Sequence, residues 1–248
     1  MIRRIPSSRR AGLLAGGTLL CLTATGVLVG NASVEHRVEQ RVAAAAHCRM
    51  QPSGQVTASL DGTFAGLKAL SGQADTVSVH ATDVKRHEVA LNVDATLHGV
   101  HSDGTTKGGT ATVTAPYDQL TPYLAEHEGD GSRPLTVGSD GAGLALNTTT
   151  GRGLPVTVHT DLKTTGNSLT VTPTDVTVLG RDVPVTQVAA FPGSSGVADE
   201  LAPKTVKLDD LPDGARVTGA HADADGLVLT VSLPSGGKGG TASGDCPS

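Results

Sequence analysis

Alternation of apolar and polar residues at every second position is the feature that most limits the fold of this 248-residue chain. It runs through eight segments, namely 76–81, 88–97, 109–114, 143–147, 154–162, 168–173, 176–179 and 226–233. A period of two gives a β-strand one apolar and one polar face. Turn-forming Asp-Gly pairs, as at 103–104 and 225–226, stand between segments. The pattern predicts mainly antiparallel sheets and excludes a parallel α/β fold, which would need helices between the strands.

Helical spacing of apolar residues is confined to a few segments. In the segment from Ser33 to Met50, Val34, Val38 and Val42 recur four residues apart, and charged residues occupy the other face. We therefore predict an amphipathic helix at this point. Shorter helices are predicted over residues 62–70, 117–126 and 195–201. The predicted fold class is α+β.

We predict that the first 32 residues form a membrane anchor or signal segment. Four arginines within the first ten residues precede an uncharged run of 20 residues, Ala11 to Gly30. The run is as long as a membrane-spanning helix requires, and Gly30-Asn31-Ala32 also provides small residues suited to signal peptidase. We expect a single-pass cell-membrane protein with its C-terminal domain outside the cytoplasm, or a secreted protein if the leader is cleaved.

The charge of the remaining chain limits its partners. Residues 33–234 are predicted to form one domain, followed by a flexible Gly- and Ser-rich tail over residues 235–248. Without the four leader arginines, 15 basic residues stand against 24 acidic ones, a balance of −9. This balance argues against nucleic acid as a partner and against a large basic patch for lipid headgroups.

Cys48 and Cys246 lie near the two ends of the exported region. Disulfides persist outside the cytoplasm, so we predict that these two cysteines pair. Two unpaired thiols are the alternative.

No motif indicates catalysis or a metal site. His98 and His101 form the closest histidine pair, but residues three apart on a regular strand point to opposite faces, and no third ligand has suitable spacing. The Gly-Ser runs lack the spacing of a nucleophile elbow or a phosphate loop. We expect no enzymatic activity, no metal and no cofactor.

Three stretches in order resemble the LmeA-like family of actinobacterial phospholipid-binding cell-envelope proteins. They are residues 56–81, residues 169–184, and residues 208–217 followed by Asp225-Gly226-Leu227. The first stretch has one aromatic residue, Phe64, where the family tends to have two. The resemblance implies an elongated body, similar to tubular lipid-binding domains, in which a long N-terminal amphipathic helix packs on a curved, mainly antiparallel sheet. It also implies binding of phospholipid acyl chains without a cofactor.

The residues expected to contact lipid are apolar residues of the predicted helices: Val38, Val42, Phe64, Leu67 and Leu70. Ordinary core packing is an equally good interpretation of these five residues, since a sheet must be covered by something.

The predicted function is that of an extracytoplasmic protein that holds phospholipid acyl chains in an aliphatic groove and serves the maintenance of cell-envelope lipid or lipoglycan. The alternative is a structural or adhesive β-sandwich at the cell surface, with a filled core and a protein or glycan partner.

Overall fold

The structure is a computed structural model that describes residues 35–48, 52–62, 65, 68, 71–86, 88–101, 105–128, 135–141, 143–149, 153–189, 201–208 and 211–236. The helices in these ranges are α1 (35–48), α2 (Tyr117–Glu128) and α3 (Val185–Ala189), and Ala65 and Lys68 are also helical. The strands in these ranges are β1 (Val56–Asp61), β2 (Gln73–Arg86), β3 (Val89–His101), β4 (Gly109–Pro116), β5 (Thr136–Asp140), β6 (Gly143–Thr149), β7 (Pro155–Thr165), β8 (Ser168–Val178), β9 (Arg181–Pro184), β10 (Lys204–Lys207), β11 (Arg216–Ala222) and β12 (Gly226–Leu233).

The strands form two antiparallel sheets. The first sheet has the order β1-β2-β3-β4-β12-β11, so the C-terminal hairpin pairs with β4. The second sheet has the order β10-β8-β7-β6-β5, and β9 also pairs with β8. β9 and β10 pair with opposite ends of β8, β9 with residues 175–178 and β10 with residues 168–171. Most neighbouring strands are therefore sequential hairpins, as the turn signals predict.

The second sheet contains a close backbone approach at a register shift. The shift lies between His159 and Thr160 on β7. There, the buried Thr160 hydroxyl accepts a hydrogen bond from the Leu144 amide (3.0 Å) and donates one to the Leu144 carbonyl oxygen (2.9 Å). A Cβ at Gly143 would lie 1.7 Å from the Thr160 carbonyl oxygen, so only glycine fits at this position.

Three hydrophobic clusters make up the buried core. The joint cluster packs the two sheets together, because its buried members come from both: Val89, Ala115, Val137, Leu144, Leu169, Ala222 and Leu227. The C-terminal cluster contains Ala111, Ala215, Val217 and Val231. The N-terminal cluster contains Leu60, Ala65 and Val77, against which Val38 and Val42 of α1 pack.

The predicted strands and the helix over 117–126 are confirmed, but the predicted arrangement of the fold is wrong. The body is mainly two antiparallel sheets and not one curved sheet covered by a helix. No long N-terminal amphipathic helix is present in the described ranges, where α1 covers only residues 35–48. The physical reason is that the alternating segments are numerous enough to form a second sheet. That sheet covers the first at the joint cluster, and α1 packs only against the N-terminal cluster.

The predicted leader lies outside the described residues. None of the helices within the described ranges has the length and apolarity needed to cross a bilayer. Cys48, the last described residue of α1, forms a disulfide bond. Its predicted partner, Cys246, is not among the described residues, so the pairing stays a prediction.

Candidate functional site

The two faces of the first sheet differ in chemistry. Register places Ala58, Val79, Ala95, Ala111 and Val231 in one row across five strands, on the face that carries all three core clusters. We call this the inner face. The neighbouring row, on the outer face, contains Ser59, Ser78, Thr96, Thr110 and Ser232. One face can therefore contact hydrocarbon and the other can contact water.

The inner face is incompletely covered at its centre. β3 is the third of six strands, yet Val89 is its only fully buried residue, at 7% exposed. Side chains in the middle of a filled core are normally close-packed and fully buried. Half-buried residues of β1 to β4 near the centre of this face include Ala58, Val79, Val93, Ala95, Leu97 and Val113. We call these six residues the aliphatic band.

The aliphatic band lies between better-buried regions. Val79 packs against the N-terminal cluster, and Ala95 packs against the C-terminal cluster. Ala58 and Ala95 flank Val79 in one row, while Leu97 stands in the next row opposite Val77. The band is therefore a half-buried aliphatic surface. Such a surface offers dispersion contacts and no catalytic group.

The second sheet repeats this half-buried aliphatic surface. The central strand β7 has one fully buried residue, Thr160, and its Val156 and Val158 are half-buried. Val158 lies opposite Leu146, which packs against the joint cluster, so this face also points toward the core. Both sheets thus present incompletely covered aliphatic side chains on the faces that meet at the joint cluster.

The outer face of the first sheet carries polar pairs. His80 Nδ1 lies 2.6 Å from Asp94 Oδ1, and Thr76 Oγ1 lies 3.3 Å from His98 Nδ1. A shallow pocket of about 160 Å³ in this region is lined by residues of β1, β2 and β3, among them His80 and Asp94. Within the described residues, no group of three or more His, Cys, Asp or Glu side chains is placed to hold a metal ion.

Tyr117 lies at the start of α2, against the joint cluster. Burial of its hydroxyl raises the pKa of Tyr117 above the usual 10.0, and the nearby Asp223 carboxylate raises it further. A hydrogen bond with Ser139 acts in the opposite direction. The hydroxyl is therefore neutral near neutral pH and serves as a structural donor.

Residues 29–232 match the model of the family described as LmeA-like phospholipid-binding. The chain belongs to this family. No curated protein and no solved structure matched the chain. The match confirms the resemblance predicted from the sequence, and it gives the half-buried aliphatic surface a chemical context.

The residues predicted to contact lipid in this LmeA-like protein fall into two groups. Val38 and Val42 are half-buried and pack against the N-terminal cluster, whose buried residues they help to cover. The amide of Leu60 also donates to Glu39 Oε1 at 3.1 Å, which fixes α1 against β1. Phe64, Leu67 and Leu70 lie outside the described residues.

The sequence does not reveal the aliphatic band as a site. The alternation predicts that Val93, Ala95 and Leu97 share one strand face, but it does not say how well that face is covered. Coverage depends on which strands become neighbours and where the second sheet packs, both of which are long-range properties. A weak signal was present, because Ala58, Ala95 and Ala111 are small residues at positions where core strands usually carry larger ones.

Proposed function

We propose that the protein binds a phospholipid outside the cytoplasm and holds its acyl chains against the aliphatic band, in support of cell-envelope lipid or lipoglycan maintenance. Membership of the LmeA-like phospholipid-binding family supports the ligand class. The single observation that carries the placement is the half-buried inner face of β3, in the middle of a six-stranded sheet. The proposal includes no catalytic step and no cofactor.

The driving force is the hydrophobic effect. Each methylene group moved from water into an apolar contact contributes about 0.8 kcal/mol, so eight methylenes contribute roughly 6 kcal/mol before the cost of ordering the chain. All six side chains of the aliphatic band are hydrocarbon, and none carries a charge. The band therefore suits acyl chains better than a polar ligand.

The extracytoplasmic location is supported by two features. The Arg-rich start and its 20-residue uncharged run are typical of an export signal or anchor. The disulfide bond at Cys48 fits an oxidising compartment. We propose that the leader either anchors the domain to the membrane or is cleaved during secretion.

The first experiment asks whether the full chain carries lipid. The purified protein is extracted with organic solvent, and the extract is analysed by mass spectrometry. We expect phospholipid in stoichiometric amounts. A lipid-free, fully folded protein that also fails to take up phospholipid from vesicles would contradict the proposal and favour the structural or adhesive alternative.

A matched pair of variants tests the placement. Ala95→Phe puts an aromatic ring within the aliphatic band on the inner face, whereas Thr96→Phe puts the same ring on the outer face of the same strand. We expect Ala95→Phe to lower the amount of bound lipid at least about tenfold, because the ring occupies the volume of several methylenes. Thr96→Phe should retain its lipid. Thermal unfolding of both variants shows whether either change acts through loss of the fold.

A further inference from the structure

We propose that one end of the second sheet, where the start of β7 lies beside the β8–β9 connection, docks on a bilayer of anionic phospholipid and is the place where lipid enters or leaves. This inference rests on the proposed function and adds the partner surface that the protein uses. We call this end, comprising Leu154, Leu179 and Arg181, the docking tip.

Two exposed leucines lie at the docking tip. Leu179 is 70% exposed and Leu154 is 40% exposed, which makes them two of the three large exposed hydrophobic residues in the described ranges. Register pairs Val156 with Val178. Leu154 precedes Val156 by two residues and Leu179 directly follows Val178, so both leucines lie at the same end of neighbouring strands. Paired exposed apolar groups at one end of a sheet suit insertion into a membrane interface.

The backbone conformation of Leu179 is unfavourable for leucine, so the requirements of folding alone do not explain why a leucine occupies this position. Leu179 and Gly180 have φ values of 53° and 74° and form the two-residue connection between β8 and β9. Such connections favour Asn, Asp or Gly, because other side chains are strained at positive φ. The backbone strain at Leu179 is not compensated by burial of its side chain. Contact with a partner would supply the missing burial.

A positive charge follows Leu179 by two residues. Arg181 is exposed, pairs in register with Val178, and forms no ion pair within the described part of the chain. The neighbouring carboxylate of Asp182 accepts a hydrogen bond from the Thr177 hydroxyl. In a chain with net charge −5, an exposed guanidinium at the same end of the sheet as two exposed leucines matches an anionic phospholipid headgroup above its acyl chains.

The docking tip leads into the half-buried aliphatic surface of the second sheet. Val156 and Val178 follow the tip on adjacent strands, and Val158 and Val176 form the next pair toward the joint cluster. Val176 is buried, while the other three are half-buried. An acyl chain leaving a bilayer at the tip would therefore meet aliphatic side chains along its path toward the core.

The absence of tryptophan from the sequence permits a local test. Leu179→Trp places a single fluorophore at the tip of the full chain. Vesicles of phosphatidylglycerol with brominated acyl chains are added, and emission is recorded. We expect a shift to shorter wavelength and strong quenching by the bromine, because the indole enters the acyl region. This readout reports the tip itself and does not depend on whether the leader binds the vesicle.

Val206→Trp is the matched control. Val206 is 51% exposed on β10 and pairs with Leu169, at the end of β8 opposite to Leu179. Its emission should not change with vesicles. Equal quenching of both variants, or no quenching of Leu179→Trp, would overturn the proposal. A blue shift that needs no vesicles and grows with protein concentration would also overturn it, because it would indicate contact with a second copy of the chain.

Two further variants test the chemistry of docking. Leu179→Asp should weaken binding to phosphatidylglycerol vesicles about tenfold. Arg181→Gln should weaken binding to phosphatidylglycerol about fivefold and leave binding to phosphatidylcholine unchanged. Both variants should still carry co-purified lipid. An unaltered protein that carries lipid but does not dock on phosphatidylglycerol vesicles would refute only this inference, whereas an unaltered protein that docks but never carries lipid would refute only the proposed function.

Discussion

The hydroxyl of Tyr117 donates a hydrogen bond to the main-chain carbonyl oxygen of Asp223 at 2.7 Å. This bond joins the start of α2 to the turn between β11 and β12, next to the cluster that packs the two sheets together. The helix and the C-terminal hairpin are 106 residues apart in sequence. The contact therefore helps to hold α2 and the C-terminal hairpin together beside the joint cluster.

The raised pKa of Tyr117 predicts a loss of stability in alkali. The folded state keeps the tyrosine protonated above the pKa of 10.0 at which an unfolded chain ionises, so this contribution is complete below pH 10 and falls as the pH rises further. Tyr117→Phe should lower the free energy of unfolding by about 1 kcal/mol at neutral pH and reduce the alkaline loss. Urea unfolding between neutral and alkaline pH measures both effects. Tyr123→Phe is the control, and an identical pH dependence in the two variants would contradict the prediction.

The close approach of the Thr160 carbonyl oxygen to Gly143 predicts that one added methyl group strongly lowers the stability of the fold. Gly143→Ala would place its Cβ 1.7 Å from the Thr160 carbonyl oxygen, so β6 and β7 must separate. We expect a loss of at least about 3 kcal/mol in the free energy of unfolding. Gly138→Ala on the adjacent strand β5 is the matched control, because no atom lies within 4 Å of its added Cβ. Equal stability of the two variants in urea would contradict the prediction and show that the sheet accommodates the added methyl group at Gly143.

Local patterns predicted the strands better than their arrangement. The alternation in residues 88–97 and 226–233 indicates β3 and β12, because each strand has one aliphatic and one polar face. The placement of β12 beside β4 depends on pairing across more than a hundred residues, which alternation does not encode. The four-residue strands β9 and β10 are too short to show a period of two.

The position of the candidate site does not follow from the sequence. Because the chain has two Phe, two Tyr and no Trp, its apolar faces are mainly aliphatic. The expected groove between a long helix and one curved sheet is absent from the described residues, and Val38 and Val42 pack against the N-terminal cluster instead. Half-burial of Val93 and Leu97 follows from how the two sheets meet, which is a property of the whole fold.

The strain at Leu179 predicts that stability and docking change in opposite directions. Leu179→Asn introduces a residue that tolerates positive φ before Gly180, so the free energy of unfolding should rise by about 1 kcal/mol. The same change removes apolar surface and should weaken binding to phosphatidylglycerol vesicles. Urea unfolding and vesicle flotation measure the two effects. A variant that is more stable and docks normally would show that the leucine has no role at the membrane.

The length of the acyl chain should control the affinity for lipid, and salt should have little influence. Shortening the acyl chains of the lipid by two methylene groups in total should weaken binding about tenfold, because in the proposed complex burial of hydrocarbon on the aliphatic band supplies the affinity. Raising the ionic strength screens charges but leaves the hydrophobic contribution to binding unchanged, so the affinity at high salt should stay within about twofold of that at low salt. Competition between phospholipids of different chain length for the purified full chain, at low and at high ionic strength, measures how affinity depends on chain length and on salt. Affinity that ignores chain length but collapses in high salt would show that the headgroup, and not the acyl chain, is what the protein holds.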